Sequence, residues 1–141
     1  MVAVTHPYAT RETVCLEDLA GCVVPQPALP IPAYWEEALS PFHTPSGRPI
    51  RRGPKVATWQ EVLAVVAAGD AVLPIQAEAS RYYRWPDIAY IPISDAPPCH
   101  WALIWRTAGE TALVRAFART ADDVEPVAPT ATGPDSPRDT P

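Results

Sequence analysis

Three histidines, three cysteines and carboxylate pairs such as Glu36-Glu37 and Asp122-Asp123 are the groups in this 141-residue chain to weigh first for covalent or metal chemistry. Their settings argue against it. His6 precedes a proline, His43 lies in a Pro- and Gly-punctuated loop, and His100 stands beside Cys99 at the start of an expected strand. Neighbouring strand residues point to opposite faces, so adjacency does not make Cys99 and His100 a nucleophile and its base. Cys15, Cys22 and Cys99 match neither a zinc ribbon nor a CxxC redox pair, and reduced, partly buried thiols are the simpler reading. Glu36-Glu37 and Asp122-Asp123 lack a companion His or carboxylate at metal spacing. No GxGxxG or GxxxxGK loop is present to hold phosphates. No catalytic residue, metal or cofactor is expected, and a hydrolase built on Cys99 has the least support of the readings considered.

Non-covalent binding has better candidates. Thr58 is a strong N-cap with Glu61 three residues on, and the amides of the helix it opens form an anion site favoured by unpaired donors and the helix dipole. Every helix has such an end, so this alone is weak. The connector PQPALPIPAYW is more suggestive: Pro25, Pro27, Pro30 and Pro32 hold its shape without ligand, and Tyr34 offers an amphipathic ring with a hydroxyl handle. The competing structural reading is a stiff cover over a sheet.

The elements that must position these groups follow from local patterns. Residues 1–5 are β-prone and stop at His6-Pro7. Leu16 to Ala20 make one helical turn, with Gly21 as its C-cap, and Cys22-Val23-Val24 resume an extended path. The prolines after Val24 are expected to exclude both a regular helix and a central strand. Helix propensity returns from Ala33 to Leu39, and FHTPSGRPIRRGPK reads as a surface loop leading to a short strand at Lys55-Val56-Ala57. Val62, Leu63, Val65 and Val66 give the helix after Thr58 its apolar stripe, and Gly69 closes it. Ala71 to Ile75 read as a buried strand made irregular by Pro74, Ala77 to Tyr83 as a helix, and Ile88 to Ile93 and Trp101 to Trp105 as strands. Thr111 caps a last amphipathic helix with Leu113, Val114, Phe117 and Ala121 on one side. The Pro-rich residues 122–141 are expected to be a disordered tail.

Composition narrows the function classes. A chain of 141 residues, 48% apolar, buries one respectable core. A net charge of -5 leaves no basic footprint for nucleic acid, and the one cluster, Arg48, Arg51, Arg52 and Lys55, is better explained as a solvated loop. No apolar run is long enough to cross a bilayer and the first residues lack an export signal, so a cytoplasmic location without membrane contact is expected.

Residues 6–121 resemble the effector-binding (substrate-binding) domain of LysR-type transcriptional regulators, in its second lobe and C-terminal return. The resemblance is carried by HPYATRETVCLEDLAG, by TWQEVLAVVAAGDAVLPIQAEASRYY, where the family has a helix ending in VAAGxGV, and by DIAYIPISDAPPCHWALIWR followed by ALVRAFART. Ala71 stands where the family has a glycine. The resemblance implies an α/β fold: a type 2 periplasmic-binding-protein-like lobe, a mixed, mostly parallel sheet flanked by helices, with a small molecule held between two lobes. It implies a role in transcription regulation through a small-molecule effector, an organic acid or an aromatic compound. It also implies effector contacts from the connector, at Pro32 and Tyr34 with neighbouring Gln26, and from Thr58. The first lobe and the winged helix-turn-helix are expected to be missing, which makes 1–121 a partial domain without direct nucleic-acid contact. Homo-oligomers or association with an intact regulator are the expected assemblies. The alternative is a stand-alone interaction module that joins an intact regulator without binding ligand.

Overall fold

The computed structural model describes residues 1–100 and 102–124. They divide into two units, one of Met1–Ala96 and one beginning at Pro97. Most of the expected disordered tail, residues 125–141, lies outside the described residues.

The first unit is mixed α/β. Strand β1 (Val2–Ala3) pairs antiparallel with β4 (Ile88–Ala89), Val2 opposite Ala89 and Ala3 opposite Ile88. Strand β2 (Val23–Pro27) pairs in parallel with β3 (Arg51–Val56). Helix α1 (Ala33–Leu39) lies in the crossover between β2 and β3, and α2 (Trp59–Ala67) follows β3 directly. The expected mainly parallel sheet is thus present as two short ladders, one parallel and one antiparallel. Between them runs the extended segment 71–75: the Val72 amide donates to Val23 O at 2.8 Å, and the Leu73 amide to Met1 O at 3.0 Å. One bond to Val23 and a reciprocal pair with Met1 tie it in without making a regular strand, and Pro74 supplies no donor to extend them. Helix α3 (Ala79–Tyr82) is shorter than the expected Ala77–Tyr83.

Side-chain alternation sorts the core into two clusters. Met1, Ile88 and Tyr90 pack with Val62, Leu63 and Val66 of α2, whereas Val2 and Ala89 pack with Leu19, Cys22 and Val24. Successive residues of β1 and β4 therefore serve opposite faces, one covered by α2 and the other by the 3-10 turn Leu16–Gly21. Gly21 is the last residue of that turn, not its C-cap, which is Cys22. The Asp18 carboxylate accepts from the Cys15 amide at 2.9 Å, a bond that holds its pKa below the usual range.

Two expectations about proline need correction. β2 continues through Pro25 to Pro27, because the ladder is irregular between Val24 and Gln26 and does not need the missing donor there. β3 begins at Arg51, so Arg51, Arg52 and Lys55 belong to a strand and not to a solvated loop. Val24 pairs with Arg52 and Gln26 with Lys55, which leaves one extra residue in β3. The bulge switches the side-chain phase: Arg52 meets Glu36 of α1, whereas Val56 packs on the α2 cluster. Gly53 sits at this point, where an added Cβ would come within 2.5 Å of Val23 Cγ1.

α2 has the ends its sequence promises. Thr58 Oγ1 accepts from the Glu61 amide at 3.3 Å, and Val62, Leu63 and Val66 are buried. Gly69, at φ 82°, closes the helix; its amide donates to Val66 O and the Asp70 amide to Val65 O, a Schellman ending that a side chain at residue 69 would strain.

In the second unit Thr111 caps α4 (Ala112–Asp122) by accepting from the Val114 amide at 3.2 Å. Residues 102–105 form no strand, and Trp101, part of the expected strand, lies outside the described residues. Ile104, Leu113 and Phe117 are 91%, 79% and 64% exposed.

Candidate functional site

The parallel register of β2 and β3 assembles the site. Pro27 lies opposite Val56, and the Ala28 amide donates to Val56 O at 2.8 Å, so the connector leaves β2 beside the point where β3 turns into α2. Carboxyl ends of parallel strands, followed by helix N-termini, are where open α/β sheets hold ligands. Gln26 and Thr58 are brought to this same end. The Gln26 side chain is already committed, since Nε2 donates to Gly53 O at 2.8 Å and locks the bulge. Thr58 is exposed and occupied as a cap.

Pro32 and Tyr34 stand farther along the connector. Pro32 is the N-cap of α1, its carbonyl accepting from the Trp35 and Glu36 amides, and Tyr34 lies in the first turn with 80% of its surface exposed. Trp35 beside it is also more than half exposed. No hydrogen bond among the described residues ties Tyr34 to Thr58. The far end of α1 is anchored, because Arg52 donates to Glu36 Oε1 at 2.6 Å and to Ser40 O at 2.9 Å and lies over the Phe42 ring at 4.5 Å. α1 is thus fixed at the β3 end, while its aromatic first turn is left free to meet another molecule.

Two participants at the mouth of α2 were not singled out as site residues in the sequence. Glu61 was read only as half of a capping box, yet its Oε2 accepts from the Ala57 amide at 2.7 Å, one residue earlier than the box requires, which sets a carboxylate at the helix entrance. Trp59, the first residue of α2, packs against Tyr83 with the rings tilted by 54° and their centroids 4.8 Å apart, and its buried Nε1 has no partner among the described residues. The Thr-x-x-Glu spacing was the available signal for Glu61; the pairing of Trp59 with a residue 24 positions away left none.

Groups suited to covalent chemistry are scattered. His6 Nδ1 accepts from the Tyr8 amide at 3.2 Å, and burial lowers its pKa. Burial raises the pKa of the Cys22 thiol, whereas Cys99 is exposed, contrary to the expectation of partly buried thiols throughout. No cluster of metal-ligating side chains occurs among the described residues, and none of their helices is long and apolar enough to cross a membrane.

Comparison with known families gives one match: the model of the LysR substrate binding domain fits residues 1–125. Neither a curated protein nor a solved structure matches the chain.

Proposed function

The chain belongs to the LysR substrate-binding domain family, and we propose that it senses a small-molecule effector for a LysR-type transcriptional regulator, at the end of the β2–β3 pair. The family binds small molecules in the service of transcription regulation; the assignment of residues is ours. Gln26, Pro32, Tyr34 and Thr58 form one wall of the site, the aromatic first turn of α1 supplying apolar contact and the α2 mouth supplying hydrogen-bond donors. The observation that carries this reading is the Pro27–Val56 register, which sets the Pro-rich connector beside the cap of α2. The bound compound is an organic acid or an aromatic molecule, the sensing unit runs to residue 121, and the protein works in the cytoplasm with copies of itself or with an intact regulator.

Thermal-shift screening of small aromatic compounds and organic acids tests the proposal, because a ligand that binds only the folded state raises its melting temperature. Hits are then titrated against Tyr34→Ala and Thr58→Ser; the serine keeps the cap and removes the methyl. A loss of about tenfold or more in Tyr34→Ala supports the site, on the scale of one lost aromatic contact. A hit that binds both variants as it binds the parent removes these residues from the site.

A second reading has its own observation. Ile104, Leu113 and Phe117 are strongly exposed in the second unit, as in a module that joins another protein and needs no ligand. A screen without hits, together with co-purification with an intact LysR-type regulator, favours that reading.

A further inference from the structure

We infer that the aromatic turn from Tyr82 to Trp85 is a docking surface for this chain's own Pro-rich segment around Pro134 and Pro137. Three large rings occupy four residues there, and all are open to water: Tyr82 is 73% exposed, Tyr83 44% and Trp85 41%. Single exposed rings are common on protein surfaces, whereas a run of them marks a place where something binds. Trp59 extends the patch, its ring centroid 4.8 Å from that of Tyr83.

The backbone beneath the rings is held in place. The Tyr83 amide donates to Ala79 O at 2.9 Å, Tyr83 O accepts from the Tyr90 hydroxyl, and the Ile88 amide donates to Trp85 O at 3.1 Å. Tyr90 is buried in the α2 cluster, so the turn is tied to the core while its rings stay outside. Groups fixed in advance lose little freedom on binding. Each ring also carries a donor at its tip, two hydroxyls and an indole N–H.

Surfaces of this kind recognise polyproline II, whose backbone makes no internal hydrogen bonds and so offers its carbonyls to such donors. The occupant is present in the sequence. Residues 126–141 hold five prolines, among them the Pro-x-x-Pro pairs PVAP at 126–129 and PDSP at 134–137. A helix of three residues per turn puts prolines three apart on one edge, where they lie across neighbouring rings. The second pair is the one with reach. Pro134 is ten residues beyond Val124, the last described residue, and an extended Pro-rich stretch of that length spans about 30 Å. A unit the size of Met1–Ala96 has a radius of gyration of only about 13 Å. Arg81 and Arg84 flank the rings, but Glu78 and Asp87 balance them within the same stretch, so the contact rests on rings and prolines and not on ion pairing. It does not depend on the effector site proposed above.

Nitrogen-15 NMR on the 141-residue protein and on its double variant Pro134→Ala, Pro137→Ala tests this. The substitutions leave the sequence of residues 1–124 untouched. The expected result is a shift of the Tyr82, Tyr83 and Trp85 amides and of the Trp85 indole N–H in the variant, the same at low and high salt. A synthetic peptide of residues 126–141 is expected to reverse these shifts when added to the variant, and to bind the parent about tenfold more weakly, because the parent's own segment competes at a high effective concentration. Resonances of residues 82–85 that are identical in parent and variant overturn the inference. So does peptide binding of equal strength in both, which leaves the rings to a Pro-rich segment of another protein. Differences that appear only as protein concentration rises assign the contact to a second copy and overturn it within one chain.

Discussion

Arg52 does more for the site than any residue expected to touch a ligand. Its guanidinium joins Glu36, the Ser40 carbonyl and the Phe42 ring, and so fixes α1 to β3 from a half-buried position. Replacing it with alanine leaves Glu36 without its cation and is expected to cost about 2 kcal/mol, within the range for hydrogen bonds to charged groups. Chemical denaturation reads that loss directly. The other residue with an outsized effect is Met1, whose α-amino nitrogen donates to Leu73 O at 2.7 Å. Burial pushes its pKa from 8.0 down to about 5. Between those values the unfolded chain binds a proton that the folded chain lacks, so stability falls as the pH drops from 8 toward 5. The limiting slope is about 1.4 kcal/mol per pH unit for one group. His6, also lowered by burial, acts in the same direction. Urea midpoints across this range check the slope, and acetylating the N-terminus is expected to flatten it.

The elements divide by how local their causes are. Ala33–Leu39 forms the helix expected of it with the same bounds, and Thr58 and Thr111 cap the helices they precede. Those signals sit within a few residues of one another and need no partner. β3 was misjudged because Arg51, Arg52, Gly53 and Pro54 are poor strand residues by propensity; pairing with β2 overrides this, as tertiary context does at edge strands. The segment 71–75 met the opposite fate, apolar enough for a strand yet bonded to its neighbours only at Val72 and Leu73. Of the site, Thr58 and the connector were legible, but the register that joins them arises from the fold. Gly53→Ala tests that register: the added Cβ meets Val23 Cγ1 at 2.5 Å and Val24 O at 3.3 Å. An overpacking cost of about 1–3 kcal/mol is expected, seen as a lower melting temperature. Gly69→Ala is expected to cost about 1–2 kcal/mol through its left-handed backbone, while the rest of α2 remains intact by circular dichroism.

At the scale of the molecule, the two units differ in how well they bury themselves. The first has two clusters on opposite faces of its extended layer, and Leu63→Ala in the α2 cluster is expected to cost about 2–5 kcal/mol. Its first strand is covered, with Met1, Val2 and Ala3 all buried. In the second unit α4 leaves Leu113 and Phe117 uncovered. Contiguous apolar surface of this kind drives association. Light scattering is expected to show growth in apparent mass with concentration, reduced in the double variant Leu113→Glu, Phe117→Glu; a constant monomer mass in the parent counters this.

The bulge in β3 gives the strand something like a reading frame. With the extra residue between Arg52 and Lys55, the arginine reaches one helix and Val56 the other. Pairing the same residues flush with β2, without the bulge, would invert everything downstream, turning the lysine inward and the valine to water. The offset, more than the identity of the residues that carry it, decides which helix each side chain meets.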